Sequence, residues 1–431
     1  MRKLILLSLV LVLSACEISD DSSGDGYTCS ARDQKRFVRD ATEFWYFWND
    51  LLPAKTRVRD YNDPAELLAS MIQVQPLDTF SYIGSAAADA AFFGAGQYLG
   101  FGFSWERLGA DDLRLTQVFA GSPAAGAGFS RGQRIIAIDG RSIAEIDAGE
   151  GLDAALAADA VEFTLRETDG VTEFTVTVVK DVVTIDPVPQ WQLIPTAAGP
   201  PVGYVELSTF VATANAQLDS AFGEFQANGV TDVVIDLRYN SGGLLSTAEF
   251  LGDLLGGDIA ENLVFTGTRF NADRAAEYDS DTLFLRLVNS IGLSRLVVIT
   301  TQTTASASEL IINGMEPHVE ITVVGAQTFG KPVGQIGLEF CGNVLRLTAF
   351  QNVNADGFGD YFGGLPADCA AADDLNLPVG DPNDPNMVAA LAYLQNGACP
   401  PAPASARQQR SDPARTIPAR GSAWREFAGA W

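Results

Sequence analysis

The stretch that decides the fold is LVVITTQTTASASEL, residues 296–310. Its first part, residues 296–301, is β-branched and aliphatic and carries no charge, which is typical of a buried strand. Small residues follow at a predicted turn, and helical spacing then runs from Ser306 to about Met315. A buried strand that leads through a tight turn into a helix indicates α/β architecture.

The same alternation continues on both sides of this stretch. Further strands are predicted at residues 204–207, 233–237 and 320–324, and further helices at residues 214–227 and 244–255. Residues 200–398 are therefore predicted to form an α/β core. The segment VPQWQLIPTAAGPP, residues 188–201, is predicted to be the linker that leads into this core.

Ser306 lies at the start of the predicted helix, where free backbone amides and the positive end of the helix dipole gather. A serine hydrolase needs an activated hydroxyl, a base within hydrogen-bond reach and amides directed at the developing oxyanion. Ser306 fits the role of such a nucleophile. Ser306 or Ser308 fits equally well as a plain N-cap with Glu309 in the first turn, so this segment alone leaves both interpretations open.

The base is either a histidine or a lysine. His318 is the only histidine of the chain, and it follows Pro317 at a predicted connection that suits a solvated turn. Lysine replaces histidine in Ser-Lys variants of the catalytic triad. Lys331 lies in QTFGKPVGQIG among apolar residues and glycines, where burial would lower its pKa from about 10.4 toward neutrality. Without a serine partner, Lys331 would be an exposed loop lysine.

Three segments resemble the signature blocks of one enzyme family: TDVVIDLRYNSGG at 231–243, TTASASEL at 303–310 and TFGKPVGQ at 328–335. They are similar, in the same order, to those of the C-terminal processing (tail-specific) peptidases, which are serine proteases with a Ser/Lys dyad. The resemblance extends over most of residues 202–395. It implies a crotonase/Clp-protease-like α/β core that hydrolyses peptide bonds and needs no cofactor.

The resemblance also implies roles for individual residues. Ser306 matches the nucleophile and Lys331 matches the base. Gln335, four residues after the lysine, matches the residue that orients it. Asp236 and Arg238 are interpreted as structural, with the arginine bound to nearby carbonyls or to a carboxylate.

The amides of the oxyanion hole match Ala307, directly after the nucleophile, and Gly242 or Gly243 in the Gly-Gly turn. Two positions depart from the family pattern. Ser241 stands where many members have proline, and Pro332 follows the lysine where many have glycine. The second difference predicts a stiffer lysine loop, and neither difference removes a catalytic group.

Upstream of the core, short strands alternate with turn signals, and a helical stretch is predicted near residues 151–158. The predicted strands are residues 98–103, 113–119, 133–138, 161–166 and 173–179. Two segments here, YLGFGF at 98–103 and GSPAAGAGFSRGQRIIAIDGRSI at 121–143, resemble a PDZ domain, which is predicted at residues 96–185 and either precedes or is inserted into the core. A PDZ domain used only for packing is the open alternative.

The PDZ resemblance implies a site for the C-terminus of a peptide. Leu99, Gly100, Phe101 and Gly102 match the loop whose backbone amides hold a terminal carboxylate, while the following strand edge pairs with the peptide.

A small helical unit is predicted at residues 30–90. Apolar and aromatic residues recur at helical spacing before a stop at Pro53, and a second short helix is predicted from Asp63 to Val74. The stripe consists of Phe37, Val38, Ala41, Phe44, Trp45, Trp48 and Leu51. Such a stripe indicates packed core rather than an aromatic ligand site.

Residues 1–16 have the order of a bacterial lipoprotein signal peptide. Two cations precede an apolar run, from Leu4 to Leu13, that is too short to span a bilayer, and LSAC resembles a lipobox in which Cys16 is lipidated. This predicts a polar tether at residues 17–29. It also predicts a protein of the bacterial cell envelope that is anchored to a membrane through its N-terminal lipid and faces the periplasm or the exterior.

Four further cysteines remain: Cys29, Cys341, Cys369 and Cys399. An even number in an exported chain indicates disulfides, with three possible connectivities. We expect Cys341 to pair with Cys369 and Cys29 to pair with Cys399. The single histidine and the absence of a CxxC motif argue against a zinc site.

Two other motifs point to different chemistries. GFSRG at 128–132 matches GxSxG, but that nucleophile elbow needs a strand before it and a helix after it, whereas here a turn precedes and a strand follows. NVNADG at 352–357 resembles the start of a calcium loop, but the twelfth position is Gly363, where a bidentate glutamate is required. A turn is predicted at these residues instead.

The chain has 54 acidic residues against 28 Lys and Arg, and its formal charge of −26 argues against a nucleic acid partner. Residues 400–431 are rich in Pro, Ala, Arg and Ser and are predicted to be a flexible tail. The sequence thus predicts a serine endopeptidase that cleaves exported proteins near or from apolar C-terminal tails. The alternative is a non-catalytic periplasmic PDZ binding or adaptor protein. No pattern indicates an oligomeric state.

Overall fold

The structure is a computed structural model that describes residues 26–197 and 199–401. Within these residues the helices α1 to α11 are, in chain order, Ala31–Trp45, Pro64–Ile72, Ala86–Ala95, Pro123–Gly126, Ile143–Ala148, Leu152–Ala155, Ala214–Ala227, Leu245–Gly256, Ala275–Tyr278, Ala307–Met315 and Pro385–Asn396. The strands β1 to β19 are Tyr82–Ser85, Gln97–Gly100, Phe103–Gly109, Asp112–Val118, Arg134–Ile138, Arg141–Ser142, Ala160–Arg166, Glu173–Val179, Asp181–Thr184, Trp191–Ile194, Val202–Glu206, Asp232–Asp236, Val264–Phe270, Ser280–Leu283, Arg295–Thr300, Glu320–Gly325, Val333–Phe340, Asn343–Val353 and Cys369–Ala370.

Several predicted segments lie outside the described residues. These are the signal peptide with Cys16, most of the tether and nearly all of the tail. Among the helices that the structure does describe, none has both the length and the apolar character needed to cross a bilayer.

The described residues form two compact units. The first comprises the described residues up to Ala87 together with Gln335–Thr348. The second comprises Ala88–Gly334 and the described residues from Ala349 onward.

The first unit packs two helices against the strand residues of its second segment. Ser30 caps α1 by accepting a hydrogen bond from Asp33 N at 3.2 Å, and Asp63 caps α2 by accepting one from Glu66 N at 2.8 Å. Strand β1 pairs antiparallel with the first part of β18. The core between these elements consists of Val38, Tyr46, Leu67, Leu68, Met71, Ile72, Phe340, Leu345 and Leu347.

The first helix is shorter than predicted. α1 ends at Trp45 rather than near Pro53, because Tyr46 turns to an extended backbone and Phe47 N donates to Thr348 O at 3.0 Å. A 3-10 turn at Asn49–Leu51 follows. The second predicted helix is confirmed as α2.

Residues 97–184 of the second unit form antiparallel sheets. One has the order β3-β4-β5-β7-β8 with β6 beside β5, and the other pairs β2 with β9. The predicted strand at 98–103 is interrupted at Phe101 and Gly102. The reason is that Gly102 has a φ of +90° and its carbonyl accepts hydrogen bonds from Phe119 N and Ser122 Oγ.

The remainder of the second unit is built on a six-stranded sheet, which confirms the predicted α/β core. The order is β10-β11-β12-β15-β16-β19, and all neighbours are parallel except β10 and β11. Val233 and Ile235 pack in the cluster that contains α7, α8 and α10, whereas Val234 packs with α11 on the other face. Both faces of the sheet are therefore buried, which explains the uniformly apolar strands.

The predicted linker at 188–201 contains a strand. β10 pairs antiparallel with β11 along the edge of the sheet. Trp191 makes an edge-on contact with Phe225, and Leu193 packs against the same core cluster. The alternation of side chains along β10 covers only four residues, so it does not stand out beside the prolines of the segment.

The expected disulfide pairing is wrong. Cys29 pairs with Cys341, and Cys369 pairs with Cys399. Cys29 lies just before α1, which packs against β17, and Cys341 follows β17 directly. Cys399 follows α11, which packs in the same cluster as the strand that carries Cys369. Packing of helices that are remote in sequence thus decides the connectivity.

Candidate active site

The predicted catalytic residues lie on three loops at one edge of the six-stranded sheet. β12, β15 and β16 are parallel neighbours, so their carboxyl ends meet at the same edge. Gly242 and Gly243 follow β12, Ser306 follows β15 and Lys331 follows β16. The sheet topology therefore collects residues that are up to 90 positions apart in a single region of the surface.

Hydrogen bonds join these three loops directly. Thr304 Oγ1 donates to Leu237 O at 2.8 Å, which binds the loop after β15 to the end of β12. Phe329 N donates to Thr304 O at 2.9 Å, which binds the loop after β16 to the loop after β15. The loops thus form a connected layer rather than three independent turns.

Ser306 directly precedes α10 and has an unusual backbone. Its φ is +57° and its ψ is −115°, whereas an ordinary N-cap residue is extended. A left-handed conformation costs a residue with a side chain about 1–3 kcal/mol and persists only where surrounding contacts impose it. Ser306 is the N-cap of α10, and its amide donates to Glu309 Oε2 at 2.9 Å as in a capping box, so the N-cap interpretation is confirmed; the strained backbone goes beyond what an ordinary N-cap needs.

Asn240 connects the Gly-Gly turn to the segment of Ser306. Its carbonyl accepts hydrogen bonds from Ala305 N at 3.1 Å and from Ser308 Oγ at 2.9 Å, on either side of the serine. Its side-chain Oδ1 accepts one from Gly242 N at 2.8 Å. Asn240 is fully buried and was not identified from the sequence.

The three predicted oxyanion residues lie beside Ser306. A Cβ atom on Gly242 would stand 2.8 Å from Ser306 Cβ and 2.9 Å from Ala307 N, so the turn approaches the serine too closely for any side chain. Gly242 and Gly243 both have positive φ angles, of +103° and +142°. The structure therefore brings Gly242, Gly243 and Ala307 together around Ser306.

Lys331 is buried, with 8% of its surface exposed, and so is not the exposed loop lysine that formed its alternative interpretation. Its backbone amide donates to Glu309 Oε2 at 2.8 Å, and Ser306 N donates to the same oxygen at 2.9 Å. Because both amides bind one oxygen, the two backbone segments lie within two hydrogen-bond lengths of each other. This contact brings the predicted nucleophile and the predicted base segment together.

Glu309 is the residue whose importance the sequence analysis missed. It was considered only as a first-turn residue of an N-cap, yet it is fully buried in α10. Burial raises its pKa, and hydrogen bonds from Thr328, Lys331, Gly330 and Ser306 act in the opposite direction. The available signal was an acidic residue in an otherwise apolar helix, three positions after the serine.

Gln335 lies on β17 and belongs to the first unit. Its Nε2 donates to Phe80 O at 2.8 Å. Its assignment as the residue that orients Lys331 stays a prediction.

His318 lies in a turn, as predicted, but it is half-buried. Its Nε2 is 2.9 Å from Val264 O, and its ring makes an edge-on contact with Phe284. It also lies beyond the far end of α10, whose nine residues span about 13 Å from Ser306.

The two competing motifs form turns. Ser130 lies between α4 and β5, and its amide donates to Gln133 Oε1, so no strand-turn-helix elbow exists there. Asn354 Oδ1 accepts hydrogen bonds from the amides of Asp356 and Phe358, which closes a turn without an ion. Among residues 26–197 and 199–401, no group of three or more His, Cys, Asp or Glu residues could hold a metal.

Arg238 is structural, as predicted, and its carboxylate partners are now identified. The guanidinium is buried and binds Asp236, Asp373 and Asp384 at 2.6 to 2.9 Å. Asp373 also binds Arg131 at 2.7 Å, and Arg131 donates to Tyr239 Oη at 2.8 Å. The arginine in the GFSRG segment thus contacts the residue before Asn240.

The predicted peptide-binding turn is divided between exposed and buried residues. Leu99 is 60% exposed on β2 and lies opposite Val182 of β9, which is 59% exposed. Gly100, Phe101 and Gly102 are buried. An exposed apolar pair therefore stands beside the turn.

Comparison with known proteins adds to this geometry. Residues 201–365 match the model of peptidase family S41, and residues 33–82 match that of the peptidase S41 N-terminal domain. The carboxyl-terminal-processing protease of Picosynechococcus sp. is 30% identical over 227 residues, which cover 51% of this chain and 51% of that protein. The corresponding protease of Synechocystis sp. is 29% identical over 231 residues, which cover 51% and 50%. The chain thus spans about half the length of these curated relatives.

Solved structures show the same fold. A "Putative S41 protease" from Bacteroides fragilis has a TM-score of 0.66 at 24% identity and covers 88% of this chain and 100% of that chain. A photosystem II D1 C-terminal processing protease has a TM-score of 0.52 at 21% identity and covers 80% and 94%. The family models, which match residues 33–82 and 201–365, and the carboxyl-terminal-processing protease relatives relate these parts of the chain to peptidase family S41, while the solved structures show the shared fold.

Proposed function

We propose that this protein is a serine endopeptidase that cleaves exported proteins near or from their C-terminal tails, with Ser306 as nucleophile and Lys331 as base. The observation that supports the proposal most directly is the shared hydrogen-bond acceptor of their two backbone amides, Glu309 Oε2. The burial of Lys331 supports it further, because an apolar environment favours the neutral amine that a base requires.

In the proposed reaction, Ser306 Oγ attacks the scissile carbonyl carbon while the neutral Lys331 amine takes the hydroxyl proton. The oxyanion forms against backbone amides. Because the Gly242 amide already donates to Asn240, we assign this role to the amides of Ala307 and Gly243. The lysine ammonium then gives its proton to the leaving amine. Lys331 then takes a proton from the water that attacks the acyl-enzyme and returns it to Ser306 Oγ as the ester bond breaks, which releases the new carboxyl end and restores both groups.

We further propose that residues 96–185 act as a PDZ domain that binds the C-terminus of the substrate. The exposed pair Leu99 and Val182 supports this role, because such a groove holds an apolar side chain beside a free carboxylate. Lipidation of Cys16 would place the enzyme on a membrane of the bacterial cell envelope, where exported polypeptides with apolar C-termini are its substrates.

The test uses purified protein and an unstructured substrate protein with an apolar C-terminal tail. Ser306→Ala and Lys331→Ala are each expected to abolish cleavage, because one removes the nucleophile and the other removes the base. His318→Ala is expected to retain most of the activity. A matched substrate with a polar tail should be cleaved more slowly.

The outcomes separate the proposal from its alternatives. Binding of the apolar tail without cleavage by the unaltered protein would indicate a non-catalytic binding protein. Loss of activity in His318→Ala, with unchanged folding, would contradict the Ser/Lys assignment.

A further inference from the structure

Glu309 is a buried carboxyl group whose two oxygens are both fully engaged. Oε2 accepts hydrogen bonds from the amides of Ser306 and Lys331, at 2.9 and 2.8 Å. Oε1 accepts hydrogen bonds from Gly330 N at 2.7 Å and from Thr328 Oγ1 at 2.5 Å. Three of these four donors belong to the loop after β16, and the fourth is the nucleophile segment itself.

Three of the four groups around the carboxyl are backbone amides, which can only donate. The fourth is the Thr328 hydroxyl, which donates to Glu309 Oε1 and accepts a hydrogen bond from Leu365 N at 2.7 Å. An ionised carboxylate accepts all four hydrogen bonds, whereas a protonated one could direct its proton only at this hydroxyl.

We propose that Glu309 is a positioning residue, whose carboxylate holds the loop of Lys331 against the segment of Ser306. Thr328 acts with it, because this threonine joins the carboxylate to the backbone of Leu365. Glu309 does not touch the substrate in this proposal. It acts through the placement of the base, and its effect on catalysis rests on the proposed peptidase function.

Glutamine cannot replace Glu309 in this arrangement. Its amide nitrogen carries two protons and accepts none, so one orientation of the amide sets it against the amides of Ser306 and Lys331, and the other sets it against the amide of Gly330. The loop of Lys331 must then move away from Ser306. A displacement of about 1 Å at a reacting group lowers the rate by about 100-fold.

The experiment compares the full chain with paired variants at two sites. Glu309→Gln is matched by Glu249→Gln, because Glu249 is a half-buried carboxyl that is also bonded to a threonine, Thr282, and lies outside the candidate site. Thr328→Val is matched by Thr282→Val. Thr328→Ser removes only the methyl group and keeps the hydroxyl with both of its hydrogen bonds. Comparison with Thr328→Val therefore isolates the effect of losing the hydroxyl.

Two measurements are made on each protein. The first is kcat and KM for an internally quenched peptide with a free apolar C-terminus. Glu309→Gln is expected to lower kcat about 100-fold with little change in KM. Thr328→Val is expected to lower kcat about tenfold, and Thr328→Ser is expected to lower kcat by a smaller factor. The Glu249 and Thr282 variants should match the unaltered protein.

The second measurement is amide hydrogen exchange in peptides that cover residues 304–310 and 326–333. Glu309→Gln is expected to speed exchange at Ser306, Gly330 and Lys331 at least about tenfold, without a change in α8. This readout decides the positioning role even if the unaltered protein cleaves no peptide, in which case only the proposed function fails.

The proposal is overturned if Glu309→Gln leaves both kcat and the exchange of these amides within about twofold of the unaltered protein. Where Glu309→Gln does not fold, the threonine pair decides. Equal exchange and equal kcat in Thr328→Val and Thr328→Ser overturn the proposal, and a loss confined to Thr328→Val supports it.

Discussion

Glu206 is a mostly buried carboxyl group at the end of β11 whose acidity differs from that of an exposed glutamate. Burial and the nearby charge of Asp236 raise its pKa from 4.5 to about 7, although Gln190 Nε2 donates to it at 2.8 Å. A raised pKa means that the folded protein binds this proton more tightly than the unfolded chain does. The resulting stabilisation is fully present below pH 4.5 and is lost as the pH rises to about 7.

We therefore expect Glu206→Gln to be more stable than the unaltered protein at pH 8, by up to about 3 kcal/mol, and similar to it at pH 4.5. The glutamine side chain can still accept the hydrogen bond from Gln190. The measurement is denaturant unfolding of both proteins at the two pH values. An equal difference in the free energy of unfolding at both values would contradict this assignment.

The sequence could single out Ser306 and Lys331 because each lies in a short segment whose order and composition carry the signal. The structure brings their segments together, and their catalytic roles stay predictions. The sequence did not single out Glu309, Asn240 or Asp373. Their roles depend on hydrogen bonds between loops that only the parallel sheet brings together. In the sequence, each of them resembles an ordinary helix-start, turn or surface residue.

At the scale of elements, the loop of Lys331 is held in place by a close backbone contact. Gly330 has a φ of +97°, and a Cβ atom there would lie 2.5 Å from Phe362 O and 2.6 Å from Gly364 N. In the same region Thr328 N donates to Leu365 O at 3.0 Å, and Leu365 N donates to Thr328 Oγ1 at 2.7 Å. Two loops that follow different strands are thus packed backbone to backbone.

Gly330→Ala is expected to lose about 1–3 kcal/mol of stability and to lower the proposed peptidase activity at least about tenfold, because the loop must shift. Gly363→Ala is the matched control, since a Cβ atom at Gly363 would contact nothing within 4 Å. Chemical unfolding and peptide cleavage are measured for both variants. Similar losses in the two proteins would show that the close approach at Gly330 is unimportant.

The central strands and helices were predicted to within a few residues, because uniform burial on both faces produces long apolar runs. β10 was missed because it is short and lies at the sheet edge, where only Trp191 and Leu193 show its alternation. α1 was predicted too long because its aromatic spacing continues past Trp45, while the chain leaves the helix at Tyr46. Local pattern cannot reveal that competing backbone contact.

At the scale of the whole molecule, the two disulfides constrain very different lengths of chain. Cys29–Cys341 joins residues separated by 312 positions, whereas Cys369–Cys399 joins residues separated by 30. In the chain-entropy account, a disulfide stabilises the folded protein by restricting the unfolded chain. The stabilisation is larger for the disulfide that closes the longer loop.

Replacing both cysteines of Cys29–Cys341 by serine should therefore destabilise the protein by about 2 kcal/mol more than the same replacement at Cys369–Cys399. Guanidinium unfolding of the two double variants, each with the other disulfide intact, measures the difference. A larger loss at Cys369–Cys399 would show that local packing around α11 outweighs loop length.

The pairing of these cysteines could not be predicted from sequence, because several arrangements of four cysteines satisfy the same count. Only the packing of α1 with β17 and of α11 near β19 selects one of them. Such contacts between remote segments belong to the fold as a whole.

The buried charge of Arg238 has a consequence for the timing of activity during biosynthesis. Its counter-ions Asp373 and Asp384, and the Leu365 amide that anchors Thr328, are among the last residues of the described chain to be made. A chain that emerges from its N-terminus folds its early parts first. Until Asp373 and Asp384 have emerged, Asp236 is the only one of the three carboxylates that can pair with the Arg238 guanidinium beside the Gly-Gly turn. A half-made chain therefore lacks two of the three carboxylates that hold Arg238, and we expect the loops of the proposed catalytic site to become ordered only when synthesis is almost finished.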